Sequence, residues 1–305
     1  MKVSLIIPTL NFAAQLPGVL ALLKRQTAWP FEVVVADSSS DDGTADLARS
    51  LGAAVITVPR AAFDHGGTRA LAAKAASGDV LVFITQDAAP SDGEAIARLV
   101  EVFKDPKVGA AYGRQLPHPD ADVFGRALRF FNYPERSYVR SLEDRAKYGI
   151  KTPFLSDSFA AYSRKALQEI GWFKDGLILG EDTYAGAKLL LAGYKLAYAA
   201  NAAVQHSHNY TPLQDFRRYF DIGVFHTREA WILEAFGGAE GEGLRFIASS
   251  LKFLKANGAL LKIPEFFLRT GLKFAGYRLG RAYPALPPGL RRRLGMNPGW
   301  WAKAA

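Results

Sequence analysis

Between residues 3 and 113 one pattern recurs: a short apolar run, a turn rich in Asp, Ser, Asn or Gly, then an Ala/Leu-rich stretch with helical spacing. The runs occupy 3–7, 31–36, 53–58, 80–85 and 108–112, and the helical stretches about 13–27, 43–51, 67–76 and 92–103. Unbroken Val/Ile/Leu strands alternating with helices mean a mostly parallel sheet covered on both faces. The expected fold class is therefore α/β, with ligands taken at the carboxyl ends of the strands.

Further on the pattern loosens. Residues 114–160 read as irregular, with an aromatic and Arg-rich part (Phe130, Phe131, Tyr133, Arg136, Tyr138, Arg140). A helix is expected after Ser163, another over 181–191, and a short strand over 194–198. Gly237-Gly238, followed by Gly241 and Gly243, predicts a boundary near 240.

The net charge of +9 is confined to one end of the chain. Residues 244–305 hold twelve Lys/Arg against the single acid Glu265, so the rest of the chain is slightly acidic. In this tail, apolar and aromatic residues mix with bases at helical spacing, which suits either an anionic membrane surface or packing on the rest of the protein. Nucleic acid is disfavoured because no RNP-like or zinc-finger pattern is present. The absence of cysteine excludes disulfides, Cys zinc sites and thiol catalysis. Only about six apolar residues precede Pro8, too few for a signal-peptide core, and no window reaches the roughly 20 apolar residues of a membrane span. A cytoplasmic protein is expected.

Several polar residues stand where those strands end. Asp37 follows the second run, as a turn residue or as a ligand for a nucleotide's base or ribose. Asp87, in Thr85-Gln86-Asp87-Ala88, ends the fourth, as a turn residue or as a ligand for Mg²⁺ or Mn²⁺ on a diphosphate, whose oxygens and water fill the remaining positions. His206 and His208 follow an apolar segment; on a strand they would face opposite sides, so one is expected to point inward. Imidazole favours Mn²⁺ over Mg²⁺. Glu181 and Asp182 open a helix, either as capping acids or with Asp182 as a general base and Glu181 on an acceptor. The stretch Phe63-Asp64-His65-Gly66-Gly67-Thr68-Arg69 offers glycines for close approach to a ligand and Arg69 for phosphate or base. It fits neither a Walker loop nor G-x-G-x-x-G.

The set as a whole resembles family-2 glycosyltransferases of the GT-A fold, through Ser4-Leu5-Ile6-Ile7-Pro8-Thr9-Leu10-Asn11, the turn at 37–44, Arg69, Gln86-Asp87-Ala88 and Glu181-Asp182. The stretch at 63–69, Thr85-Gln86-Asp87-Ala88 and Ser156-Asp157-Ser158-Phe159-Ala160-Ala161-Tyr162 resemble its rhamnosyltransferase branch. The resemblance covers about residues 3–212. It implies inverting transfer of a sugar, L-rhamnose from dTDP-β-L-rhamnose, to a hydroxyl of a cell-surface glycan or lipid-linked oligosaccharide. By the same resemblance Pro8, Thr9, Asn11, Asp37, Arg69 and Gln86 would surround the nucleotide, Asp87 and His206 with His208 would hold a divalent metal, and Asp182 would be the base. The usual Asp-x-Asp is replaced here by Gln86-Asp87-Ala88. The implied organisation is a catalytic domain over 1–240, with a nucleotide half to about 113 and an acceptor half beyond it. A basic helical extension over 241–305 would seat the protein on the inner face of the bacterial cell membrane. A transferase using another nucleotide-hexose, or a non-catalytic glycan- or nucleotide-binding module, are the alternatives.

Overall fold

The computed structural model describes residues 1–27, 32–238 and 241–303. Phe31, where the second strand was expected to start, the boundary at 240 and the end of the tail at 304–305 lie outside the described residues. The first part alternates β1 (Val3–Thr9), α1 (Leu16–Lys24), β2 (Glu32–Asp37), α2 (Thr44–Ser50), β3 (Ala54–Thr57), α3 (His65–Ala75), β4 (Val80–Ile84), β5 (Ala89–Pro90), α4 (Ala95–Glu101) and β6 (Val108–Leu116). Then come α5 (Val123–Asn132), β7 (Tyr138–Arg140), α6 (Arg145–Tyr148), β8 (Phe159–Ser163), α7 (Arg164–Glu169), α8 (Glu181–Leu191) and β9 (Lys195–Gln205). Helices α9 (Pro212–Arg228), α10 (Ala230–Phe236), α11 (Glu242–Ala256), α12 (Ile263–Arg281), α13 (Pro288–Leu294) and α14 (Pro298–Lys303) complete the chain.

The strands form one mixed sheet in the order β3-β2-β1-β4-β8-β6-β9-β5, with β7 also on β9. Neighbours from β3 to β4 are parallel, as are β6 and β9, while β8 runs antiparallel between β4 and β6. Within β1, Leu5 and Ile7 enter one core and Ile6 the other. Both faces being covered, the run needs no polar residue, which is why it reads as unbroken hydrophobics.

The stretch 114–160 proves more ordered than expected. It contains the end of β6, α5, β7 and the start of β8. The strand β8 escapes a periodicity reading because its Phe-Ala-Ala-Tyr-Ser is short and its partners lie far away in the chain.

Downstream, α12 crosses α9 closely. A Cβ on Gly280 would lie 2.1 Å from the Phe220 carbonyl oxygen, and one on Gly276 2.4 Å from that of Phe216. Buried Arg269 of α12 reaches Asp215 of α9 (Nη1–Oδ2 3.0 Å) and the Tyr210 carbonyl (2.5 Å). Buried Asp221 accepts from the amides of Met296 (2.9 Å) and Asn297 (3.1 Å). Trp301 enters the core, and Lys303 Nζ donates to the Phe63 carbonyl at 2.7 Å. The extension thus packs along the body and returns to the end of the sheet that carries the candidate site. No helix among the described residues is long and apolar enough to cross a membrane.

Candidate active site

The carboxyl ends of β1, β2 and β4 bring Pro8, Thr9, Asn11, Asp37 and Gln86 together. Thr9 and Asp37 are register partners, and the Thr9 hydroxyl donates to Asp37 Oδ1 at 3.2 Å. Ser40 donates to the buried Asp37 carboxylate from its amide (2.9 Å) and its hydroxyl (2.5 Å). Asn11 adopts φ +50°, which Asn tolerates better than most residues; its amide donates to Ser40 Oγ and its side chain accepts from the Asp41 amide. Gln86 spans Leu10, accepting from its amide (2.8 Å) and donating to its carbonyl (3.3 Å). The result is a braced loop set at the mouth of the parallel strands, where such sheets take nucleotides.

Beside it, one ligand atom each from Asp87, His206 and His208 lie within 4.8 Å of one another. The expectation that the two imidazoles face opposite sides fails because β9 ends at Gln205 and the chain is no longer pleated; the rings meet edge to face at 4.7 Å. Their protonation follows from the neighbours. Arg129 can only donate, so the Gln115 oxygen it contacts is an acceptor, and His206 Nδ1, 2.9 Å from that same oxygen, must carry a proton. In a neutral ring Nε2 is then a lone pair aimed at Asp87 Oδ2, 3.3 Å away. A proton on Nε2 or a metal cation between them is what can join this pair. Burial acts to raise Asp87, but a positive partner at the His206 side holds the carboxyl far below its usual range. Burial pushes His208 down to about 4, leaving it a neutral ligand. One carboxylate and two imidazoles, one of them oriented from behind by an amide, fit a divalent cation such as Mn²⁺.

A second cluster lies at the start of α8. The Arg69 guanidinium is buried between Asp157 (Nε–Oδ2 3.1 Å) and Glu181 (Nη1–Oε1 3.1 Å). Asp182 is partly exposed; its Oδ1 accepts from the Thr183 amide at 2.6 Å and its Oδ2 from the Asp157 amide at 3.4 Å. Tyr162 donates to Asp157 Oδ1 at 2.6 Å. Three carboxyls share one guanidinium, so they cannot all ionise at equal cost. Burial opposes ionisation of Glu181, yet Arg69 and His65 hold it low. Burial and neighbouring carboxylates push Asp157 up to about 8. Burial, then Glu181, push Asp182 up to about 6. Asp182 is accordingly a carboxylate near neutral pH with raised basicity, the property of a general base.

Two sequence assignments are revised by this geometry. Arg69, expected at the nucleotide, and Glu181, expected on the acceptor, are instead paired with each other inside the protein. Gly66 serves approach to backbone, since a Cβ there would sit 1.8 Å from the Lys174 carbonyl oxygen, and Gly67 lies against the side chains of Asp64 and Asp175. Sequence reasoning also missed Asp157, Gln115 and Arg129. Asp157 had a signal, a carboxylate just before an apolar run; Gln115 and Arg129 had none.

Two clusters, one of a carboxylate with two imidazoles and one of three carboxyls around a guanidinium, lie near the mouth of the sheet. Residues 4–171 match Glycosyl transferase family 2. The chain belongs to that family. Family 2 membership agrees with whole-chain relatives: an O-antigen chain rhamnosyltransferase, RfbN, of Salmonella typhimurium is 47% identical over 99% of this chain and 96% of its own length. A second, WbaN of Salmonella anatum, is 43% identical over 98% and 95%. Among solved structures, a Pyrobaculum calidifontis mannosyltransferase in complex with GDP-Man and Mn²⁺ superposes with TM-score 0.57 at 21% identity, over 99% of this chain and 85% of that one. Staphylococcus aureus TarS with UDP-GlcNAc gives 0.54 at 17%, over 93% and 92%. The family 2 chain has the GT-A fold and is a nucleotide-sugar-dependent glycosyltransferase.

Proposed function

We propose that this enzyme transfers L-rhamnose from dTDP-β-L-rhamnose, with inversion, to a hydroxyl of a growing cell-surface glycan or lipid-linked oligosaccharide. The observation that carries the reading is Asp182, a carboxylate of raised basicity held by the Asp157 amide, next to Ser156, which through Gln115 reaches the group of Asp87, His206 and His208. Asp182 takes the proton of the acceptor hydroxyl as that oxygen attacks the anomeric carbon from the face opposite the diphosphate, so one displacement inverts the centre and no covalent enzyme intermediate is needed. Asp157, Glu181 and Arg69 hold the base in place, while Asp37, Asn11 and Gln86 shape the pocket for the nucleoside. A divalent ion held by Asp87, His206 and His208 would neutralise charge on the departing diphosphate. The rhamnosyl donor and glycan acceptor are supported by the two O-antigen chain rhamnosyltransferases that match the whole chain.

The outward side of α12 exposes Phe267, Leu268 and Phe274, and Lys252 and Lys255 of α11 and Arg278 of α12 are exposed as well. This composition suits an anionic lipid surface at the inner membrane face, where a lipid-linked acceptor is presented.

Asp182→Asn should leave donor affinity within about twofold and lower turnover on the order of 10²–10⁴-fold, the usual worth of general base catalysis; full turnover overturns the base assignment. Nucleotide release from dTDP-rhamnose, GDP-mannose and UDP-GlcNAc identifies the donor. Preference for another sugar overturns rhamnose, and release from none overturns catalysis.

A further inference from the structure

The helix α9 connects the two clusters. It starts at Pro212, just after the arm bearing His206 and His208, and near its other end Phe225 packs on Gly180, the residue before Glu181: a Cβ on Gly180 would meet that ring at 3.0 Å. Arg218 lies between these points, two turns before Phe225 and hence on the same face, with about 10 Å of helix on either side. Its positive charge acts on His65 and Glu181 toward one end and on His208 toward the other.

Two other buried arginines near the site are fully committed: Arg69 to Asp157 and Glu181, Arg269 to Asp215 and Glu265. Arg218 is different. It is partly buried and, among the described residues, makes no hydrogen bond and no ion pair. Nearby Asp221 is already taken up by the Met296 and Asn297 amides. A half-buried guanidinium with no protein partner among the described residues keeps its donors free for an incoming anion.

We infer that Arg218 binds the diphosphate of the donor, and of the nucleoside diphosphate product, on the side facing Asp182. This rests on the nucleotide-sugar reading and adds to it the residue that meets the leaving group. With the Asp87 group on one flank and the base on the other, the anion that reaches Arg218 is the phosphate linked to the anomeric carbon. The planar fork can take two of its oxygens at once, and the charge it meets grows as the sugar–oxygen bond breaks.

The test is calorimetric titration of the full chain in Mn²⁺ buffer with thymidine, uridine and guanosine diphosphates and the matching monophosphates. Arg218→Gln should weaken the diphosphate that the wild type binds best by roughly 10- to 100-fold, the worth of charge-assisted hydrogen bonds, with about a twofold change for its monophosphate. Arg218→Lys, which keeps the charge but not the fork, should fall between them, and both variants should keep the wild-type thermal midpoint. Equal losses for diphosphate and monophosphate, or no loss, overturn the inference while leaving the transferase reading standing. A wild type that binds no nucleoside diphosphate overturns both.

Discussion

At the scale of single residues, buried Asp157 supports the base from behind, through its amide to Asp182 and its carboxyl on Arg69. Burial and Glu181 keep Asp182 basic, while the Asp157 amide holds its carboxylate in place. Turnover should therefore fall as pH drops through about 6, where Asp182 takes up its proton. Asp157 still holds its proton at pH 6, so Asp157→Asn keeps both shape and charge there and should leave that acid limb near 6, which a pH profile of kcat/KM measures. Stability runs the opposite way. Asp157 and Asp182 titrate higher folded than unfolded, so their contribution is full below about pH 4 and is lost as pH rises through about 6 and about 8. Thermal midpoints between pH 5 and 8 should consequently decline less steeply in Asp157→Asn than in the wild type. Much of this was legible in the sequence, because Asp37, Asp87 and Asp182 each stand beside an apolar run or open a helix. The destination of Arg69 was not, since its partners Asp157 and Glu181 are brought to it only by tertiary packing. Gln115 looks like any strand residue until Arg129 fixes which end of its amide meets His206.

At the scale of elements, the crossing of α9 and α12 decides where the arm with His206 and His208 and the start of α8 can sit. Gly223, Gly276 and Gly280 bring two backbones together, and Arg269 locks the crossing to the Tyr210 carbonyl. Gly280→Ala should cost about 1–3 kcal/mol, since the added methyl meets a carbonyl oxygen of the packed backbone and not a side chain that could swing away. Gly271→Ala, on the same helix with nothing within 4 Å, should be neutral or stabilising by up to about 1 kcal/mol. Urea titration of the two variants measures the difference. Helix α8 matched its expected span because Gly180 and the following acids mark its start; strand β8 did not announce itself, because membership in this sheet is conferred by β4 and β6.

At the scale of the whole molecule, the basic tail divides its charges between two directions. Arg269, Lys273 and Lys303 turn inward to Asp215 and the Phe63 carbonyl, whereas Lys252, Lys255, Arg278, Arg292 and Arg293 stay exposed. Composition reported the excess of charge but could not say which cations were already spoken for. The outward set predicts that the full chain sediments with vesicles containing anionic lipid at low salt and is released as salt rises. Phe274→Ser combined with Arg278→Gln should reduce that binding severalfold while leaving turnover on a water-soluble acceptor unchanged; indifference of the wild type to such vesicles removes the membrane reading.

The strand order also constrains how a ribosome can deliver this enzyme. When β4 has emerged, its free edge must wait for β8, and Arg69 must wait for both Asp157 and Glu181. A nascent nucleotide half is thus an open-edged sheet holding an uncompensated charge, the kind of intermediate that chaperones shield and that aggregates when expressed by itself.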